Sequence, residues 1–123
     1  MLSRDNRLSD EFNFRRLRRE GRRYGTPFFN FFLILNQKGP ARFGFVVSSH
    51  VSRLATQRNR LKRVLRAQVE ELLPEIRSGS WGAFWVQGPA LRAEPKVLRR
   101  AVEQALRRAE VLEEEICGLP YLN

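Results

Sequence analysis

Apolar residues alternate along "FFNFFLIL" (28–35), so that Phe29, Phe31, Leu33 and Leu35 fall on one side and Phe28, Asn30, Phe32 and Ile34 on the other. A period of two marks a strand, and aromatic and branched side chains favour that reading at this length. The first side is wholly apolar and suits burial against helices; the second has a polar member and is expected to be partly open. "FGFVVSS" (43–49) alternates in the same way, with Phe43, Phe45 and Val47 bulky and Gly44, Val46 and Ser48 mostly small. The intervening "NQKGPAR" (36–42) is turn chemistry, which predicts a hairpin between the two strands. A further strand is expected over about 81–87, between the turns of "SGSWGAFWVQGPA" (78–90).

Three stretches instead follow the helical period. Ser9 as a cap, two acids behind it and Gly21 as a stop predict a helix over roughly 9–20, with Phe12, Phe14 and Leu17 on its apolar side. Leu61, Val64, Leu65, Val69, Leu72, Leu73 and Ile76 form one stripe of a helix over about 57–76, capped by Thr56 and ended or kinked near Leu73 by Pro74. Pro95 opens a closing helix that repeats Leu98, Val102, Ala105, Leu106 and Ala109 within "EPKVLRRAVEQALRRAEVLEEE". The order helix, strand, strand, helix, strand, helix predicts an α+β fold, a small two-layer sandwich with room for an extra short strand. The 123 residues suit one domain spanning 1–123.

Charge adds what periodicity leaves out. The formal net charge is +10, yet residues 21–69 hold ten Lys and Arg and no Asp or Glu, while the remaining 74 residues hold thirteen of each sign. The excess thus lies in one continuous zone, which points to a polyanionic partner. On the helix over 57–76, Asn59, Lys62, Arg63 and Arg66 fall opposite the apolar stripe, with Arg60 on its flank. The lone cysteine, Cys117, forms no internal disulfide, the charged N-terminus lacks a signal-peptide core, and the longest apolar run is too short for a membrane span. These features predict a cytoplasmic location and no membrane partner.

Catalytic chemistry is scarce. One histidine, His50, and one cysteine build no Cys/His metal cluster, and carboxylates for a magnesium-dependent nuclease would have to come from the two ends of the chain. No protein catalytic residue, protein-held metal, organic cofactor or glycine-rich phosphate loop is expected. Binding is better served. With Thr56 as cap, Arg58, Asn59 and Arg60 would sit in a first turn whose dipole already favours anions, and the arginine fork suits phosphate oxygens. A strand face of Phe28, Asn30 and Phe32 beside the small Gly44 and Ser48 leaves room for bases to stack, as single-stranded RNA requires.

"RNRLKR" (58–63), after a strand ending "GFVVS" (44–48) and a basic linker, resembles the protein subunits of bacterial ribonuclease P. The likeness extends to "FNFRRLRREG", "GTP" (25–27) before an aromatic strand, "QGPA" (87–90) and the final helix. It implies a cofactor protein for a catalytic RNA that removes the 5′ leader of precursor tRNA by magnesium-dependent hydrolysis. The magnesium would be bound mainly by the RNA. Partners would be ribonuclease P RNA and precursor tRNA, with no obligate protein partner. The resemblance carries Arg58, Asn59, Arg60, Lys62, Arg63 and Arg66 to the face toward the catalytic RNA, and Phe14 and Phe32 to the cleft for the leader. Arg18 stands where a second cleft aromatic often occurs, Ser49 and His50 replace a frequent lysine pair, and Arg53 offers a nearby charge. A left-handed crossover between parallel strands is implied too, where sequence alone predicts a right-handed one. The rival readings are a ribosomal-type or other structural RNA-binding protein, a self-sufficient nuclease and a membrane-surface protein.

Overall fold

The computed structural model describes residues 4–8 and 10–112. A 3₁₀ turn at Arg4–Asn6 precedes helix α1 (Glu11–Glu20), strands β1 (Arg22–Gly25), β2 (Phe29–Ile34) and β3 (Arg42–Val46), helix α2 (Ala55–Leu72), strand β4 (Trp81–Val86) and helix α3 (Pro95–Arg108). The expected order is present, with β1 as the extra strand. Asp10 starts α1, its carboxylate accepting the Phe12 N–H at 2.9 Å; the expected cap, Ser9, lies outside the described residues, as do residues 113–115 of the expected last helix. Leu17 is the buried residue of α1, and Phe12, expected on the apolar side, points to solvent at 66% exposure. Proline has no N–H to continue a helix, and α2 accordingly passes at Leu73–Glu75 into a 3₁₀ turn around Pro74.

The sheet order is β1-β2-β4-β3, and this corrects the expected hairpin. β2 and β3 do not pair. β4 lies between them, antiparallel to β2 and parallel to β3. Turn residues encode only the reversal of direction between β2 and β3; they do not say whether the strands end one spacing apart or two. Burial decides that. The β4 sequence "WGAFWV" has Gly82, Ala83, Phe84 and Val86 buried, and a strand covered on both faces belongs in the middle of a sheet. The β2 hairpin partner is instead β1, with Tyr24 opposite Phe31 and Gly25 opposite Asn30. The route from β3 through α2 to β4 is a crossover between adjacent parallel strands, the connection that most often carries a helix.

Strand parity sorts the side chains. Phe29, Phe31, Leu33, Phe43, Phe45 and Phe84 enter the main core beneath α2 and α3, which supply Leu61, Leu65, Val69 and Leu72, and Leu98, Val102, Ala105 and Leu106. This is the expected sandwich. On the opposite face a smaller cluster of Leu8, Leu17, Phe32 and Ala83 lies under α1, with Phe14, Ile34, Trp81 and Trp85 only partly covered. Phe84 joins the strands of the main core. Its ring stacks on Phe45 (5.2 Å, 6° between planes), lies 4.6 Å from Phe31 and meets Phe29 edge-on at 5.1 Å.

Gly44 shapes the second face. A Cβ there would lie 2.2 Å from Phe14 Cζ and 2.7 Å from the Leu8 carbonyl oxygen, so α1 and the N-terminal segment can approach β3 only across a glycine. Gly44→Ala is expected to cost about 1–3 kcal/mol and to push Phe14 off the sheet. Phe84→Ala is expected to cost about 3–5 kcal/mol, and Phe12→Ala under about 0.5 kcal/mol. Urea unfolding of the three variants checks these values, and equal losses for Phe84→Ala and Phe12→Ala would contradict the packing described.

Candidate functional site

The start of α2 is organised from upstream of the expected position. Leu54 is the N-cap and makes no side-chain capping bond, whereas Thr56 is exposed inside the first turn. The hydroxyl that organises this turn belongs to Ser52. It accepts the Leu54 N–H at 3.1 Å and donates to Gln57 Oε1 at 2.5 Å. Arg58, Asn59 and Arg60 therefore begin at the fourth residue of the helix, beyond the turn whose free N–H groups were expected to assist them.

The cations of α2 divide between two directions. Residues four apart lie on one side of a helix, so Arg58, Lys62 and Arg66 form a stripe, and Arg60 and Arg63 point elsewhere. Arg58 is half-buried and donates from Nη1 to the Ser52 carbonyl at 2.8 Å, so part of its guanidinium holds the linker in place. Lys62 and Arg66, also half-buried, wall a cavity of about 270 Å³ together with Phe14, Gly44 and Phe45. Asn59, Arg60 and Arg63 are exposed, as are Arg53, Ser49 and His50 in the linker before the helix.

Across that cavity is the open face of the sheet. Register places Asn30 opposite Trp85, Phe32 opposite Ala83 and Val46 opposite Trp85, so these side chains share the face that α1 crosses. Trp85 is the centre. Phe14 meets it edge-on at 5.8 Å, Phe32 edge-on at 5.2 Å, and the Arg18 guanidinium carbon lies 5.5 Å from its ring centre. Phe14, Arg18 and Phe32 thus surround Trp85, and Asn30 lies opposite it in the register. Phe32 is only 9% exposed and acts as the floor; the half-buried surface belongs to Trp85, Phe14 and Asn30. Phe28 is a correction: it precedes the regular part of β2, packs against the main core, and its carbonyl accepts the Gln87 N–H at 2.8 Å.

Trp85 was missed at the level of sequence, although its signal was present. In "WGAFWV" the positions Trp81, Ala83 and Trp85 share a face opposite Gly82, Phe84 and Val86, and the same parity argument used for β2 places Trp85 outward. Arg18 stands over this tryptophan as a cation above the π face, an arrangement that favours a guanidinium as much as another ring. Among the described residues, no three His, Cys, Asp or Glu side chains converge in a way that would hold a metal ion. The site can thus offer stacking surface, arginine forks and one amide, a set suited to a single-stranded polyanion with aromatic bases.

Comparison with known proteins gives a consistent picture. The family described as Ribonuclease P matches residues 2–110. The "Ribonuclease P protein component" of Pseudanabaena sp. is 32% identical over 91% of this chain and 97% of its own length. The protein of the same name from Microcystis aeruginosa is 40% identical over 60% of this chain, a stretch spanning 62% of that relative. A structure of the Staphylococcus aureus RNase P protein superposes with a TM-score of 0.79 over 88% of this chain and 98% of that one, at 21% identity, a likeness in fold. With the α+β order, the basic α2 and the aromatic sheet face, a match over nearly the whole length means that this chain belongs to the Ribonuclease P protein family.

Proposed function

We propose that the chain is the RNA-binding protein cofactor of a ribonuclease P ribozyme, assisting removal of the 5′ leader from precursor tRNA. The observation that carries this reading is the adjacency of two surfaces with different chemistry. Lys62 and Arg66 of α2 border the same cavity as Phe14, and Phe14 contacts Trp85 on the open sheet face. Folded RNA presents phosphates at fixed spacing and is met by the exposed Asn59, Arg60 and Arg63, with Arg53 on the linker. An unpaired leader presents bases as well, and these stack on Trp85 and Phe14 beside Asn30, while Lys62 and Arg66 accompany its backbone. Arg58 serves the first surface by holding the linker to the helix.

In this reading the hydrolysis belongs to the RNA. Magnesium, a hard cation that takes oxygen ligands, would be held mainly by RNA phosphates, and no step is assigned to a protein carboxylate. The protein contributes position and charge. Guanidinium groups beside the RNA reduce phosphate repulsion between catalyst and substrate, an effect that should matter most when magnesium is scarce. Among the described residues no helix is long and apolar enough to cross a membrane.

The two surfaces should respond differently to substitution. Arg60→Ala and Arg63→Ala are expected to weaken binding to a bacterial ribonuclease P RNA and to reduce the slope of log K against log salt by roughly one unit each, measured by filter binding across a salt series. Trp85→Ala and Phe14→Ala are expected to leave that affinity nearly unchanged while weakening holoenzyme binding to leader-bearing precursor by about 1–3 kcal/mol per lost stacked base. Mature tRNA is the control, and equal losses on mature and precursor tRNA would contradict a leader cleft at Trp85.

A further inference from the structure

The cations of α2 lie toward one edge of the sheet, because α2 packs on β3 whereas α3 packs on β1 at the other edge. Beside that far edge, between β1 and the C-terminal end of α3, is a cavity of about 470 Å³. Three arginines reach it from three separate parts of the chain: Arg22 on β1, Arg77 before β4 and Arg108 in the last turn of α3. Their placement is fixed by the fold. Arg22 and Tyr24 are two residues apart on the face turned toward α3, Arg22 opposite Leu33. The Arg77 N–H donates to the Val111 carbonyl at 2.8 Å, next to a bridge between Ile76 and Leu112. Arg108 donates to the Gly25 carbonyl at 2.9 Å, and its guanidinium carbon lies 5.8 Å from the Tyr24 ring centre.

Among the described residues, the charge around this cavity is unbalanced. Glu20 lines it, but its carboxylate is bound by Arg16 and Arg19, and the hydrogen bond from Arg19, then that from Arg16, holds it below the ordinary glutamate range. Glu110 is the other carboxylate on the wall among the described residues. The side chains of Arg22 and Arg77 form no ion pair or hydrogen bond among the described residues. Ordinary roles exist for each arginine alone: a cation favours a helix C-terminus, and charge on an edge strand discourages pairing with another chain. Neither role calls for three of them around one concavity with a tyrosine at its wall.

We propose that this cavity is a second phosphate site, taking one or two backbone phosphates of an RNA segment that passes the β1 edge while other RNA occupies the α2 face. The proposal rests on the RNA-cofactor reading above. The edge strands are three spacings apart, about 14 Å. One phosphate cannot serve both sites, and a folded RNA that reaches both is held bivalently, at a high effective concentration for the second contact. Arg22 and Arg77 supply forks unpaired among the described residues, and Arg108, already docked on Tyr24, supplies a fixed one.

The test compares Arg22→Gln/Arg77→Gln, Arg22→Lys/Arg77→Lys and Arg60→Gln/Arg63→Gln in the full chain, after matching thermal unfolding to wild type. Binding to a bacterial ribonuclease P RNA is measured across a salt series. The expected result is a slope reduced by roughly one to two units for Arg22→Gln/Arg77→Gln and largely kept for the lysine pair. An unchanged slope for Arg22→Gln/Arg77→Gln, with a reduced one for Arg60→Gln/Arg63→Gln, overturns the second site and leaves the cofactor reading intact. No binding by the wild-type chain overturns both. A nuclear magnetic resonance titration with inorganic phosphate and with a uridine tetranucleotide separates the two sources of phosphate. Shifts of the Tyr24 and Arg108 amides at lower tetranucleotide than phosphate concentration support an RNA chain; equal or greater sensitivity to free phosphate argues against it.

Discussion

The alternation of β4 ties this molecule's core to its candidate site. Phe84 points into the main core and touches the rings of Phe29, Phe31 and Phe45, so one residue cements β2 and β3 to the strand between them. Its neighbour Trp85 necessarily points the other way. A shift of β4 by one residue would exchange the two, placing the indole in the core and emptying the open face. The small residues Gly82 and Ala83 on the same strand leave room for that packing: a Cβ on Gly82 would lie 2.5 Å from the Phe31 ring.

From this constraint follows the arrangement of charge. With β4 central and parallel to β3, the connection between them must cross a sheet face, and here it does so as α2. Its apolar stripe is consumed by the core through Leu61, Leu65, Val69 and Leu72. Lys62 and Arg66 are thereby held at the border of the open face, near Phe14. The acid-free composition of residues 21–69 leaves this border uncompensated within its own zone, a costly state for a chain that meets no anion.

Local periodicity carried much of this structure in the sequence, and pairing at a distance did not. The stripes of α2 and α3 and the two faces of β2 follow from spacing within one segment, and Leu61, Leu65, Leu98, Val102, Phe29 and Phe31 are buried as that spacing requires. The strand order was hidden because "NQKGPAR" reverses the chain without stating how far apart the strands end, and β4, which fills the gap, comes some forty residues later. The start of α2 was misread because Thr56 has the chemistry of a cap, while Ser52 satisfies the turn from farther upstream. In the candidate site, Phe14, Arg18, Asn30 and Phe32 lie around Trp85, but Phe28, just before β2, packs against the core; the parity of β4 turns Trp85 outward, and only the sheet order sets it beside Asn30.

In the proposed role, this surface assists an RNA that performs the chemistry. The most direct measurement is cleavage of 5′-labelled precursor tRNA at low magnesium by a bacterial ribonuclease P RNA, with and without the full chain. The expected result is stimulation of cleavage at the mature 5′ end, with no activity from the chain in the absence of the RNA. Binding to the RNA without stimulation at any magnesium concentration, or cleavage by the chain alone, would contradict it.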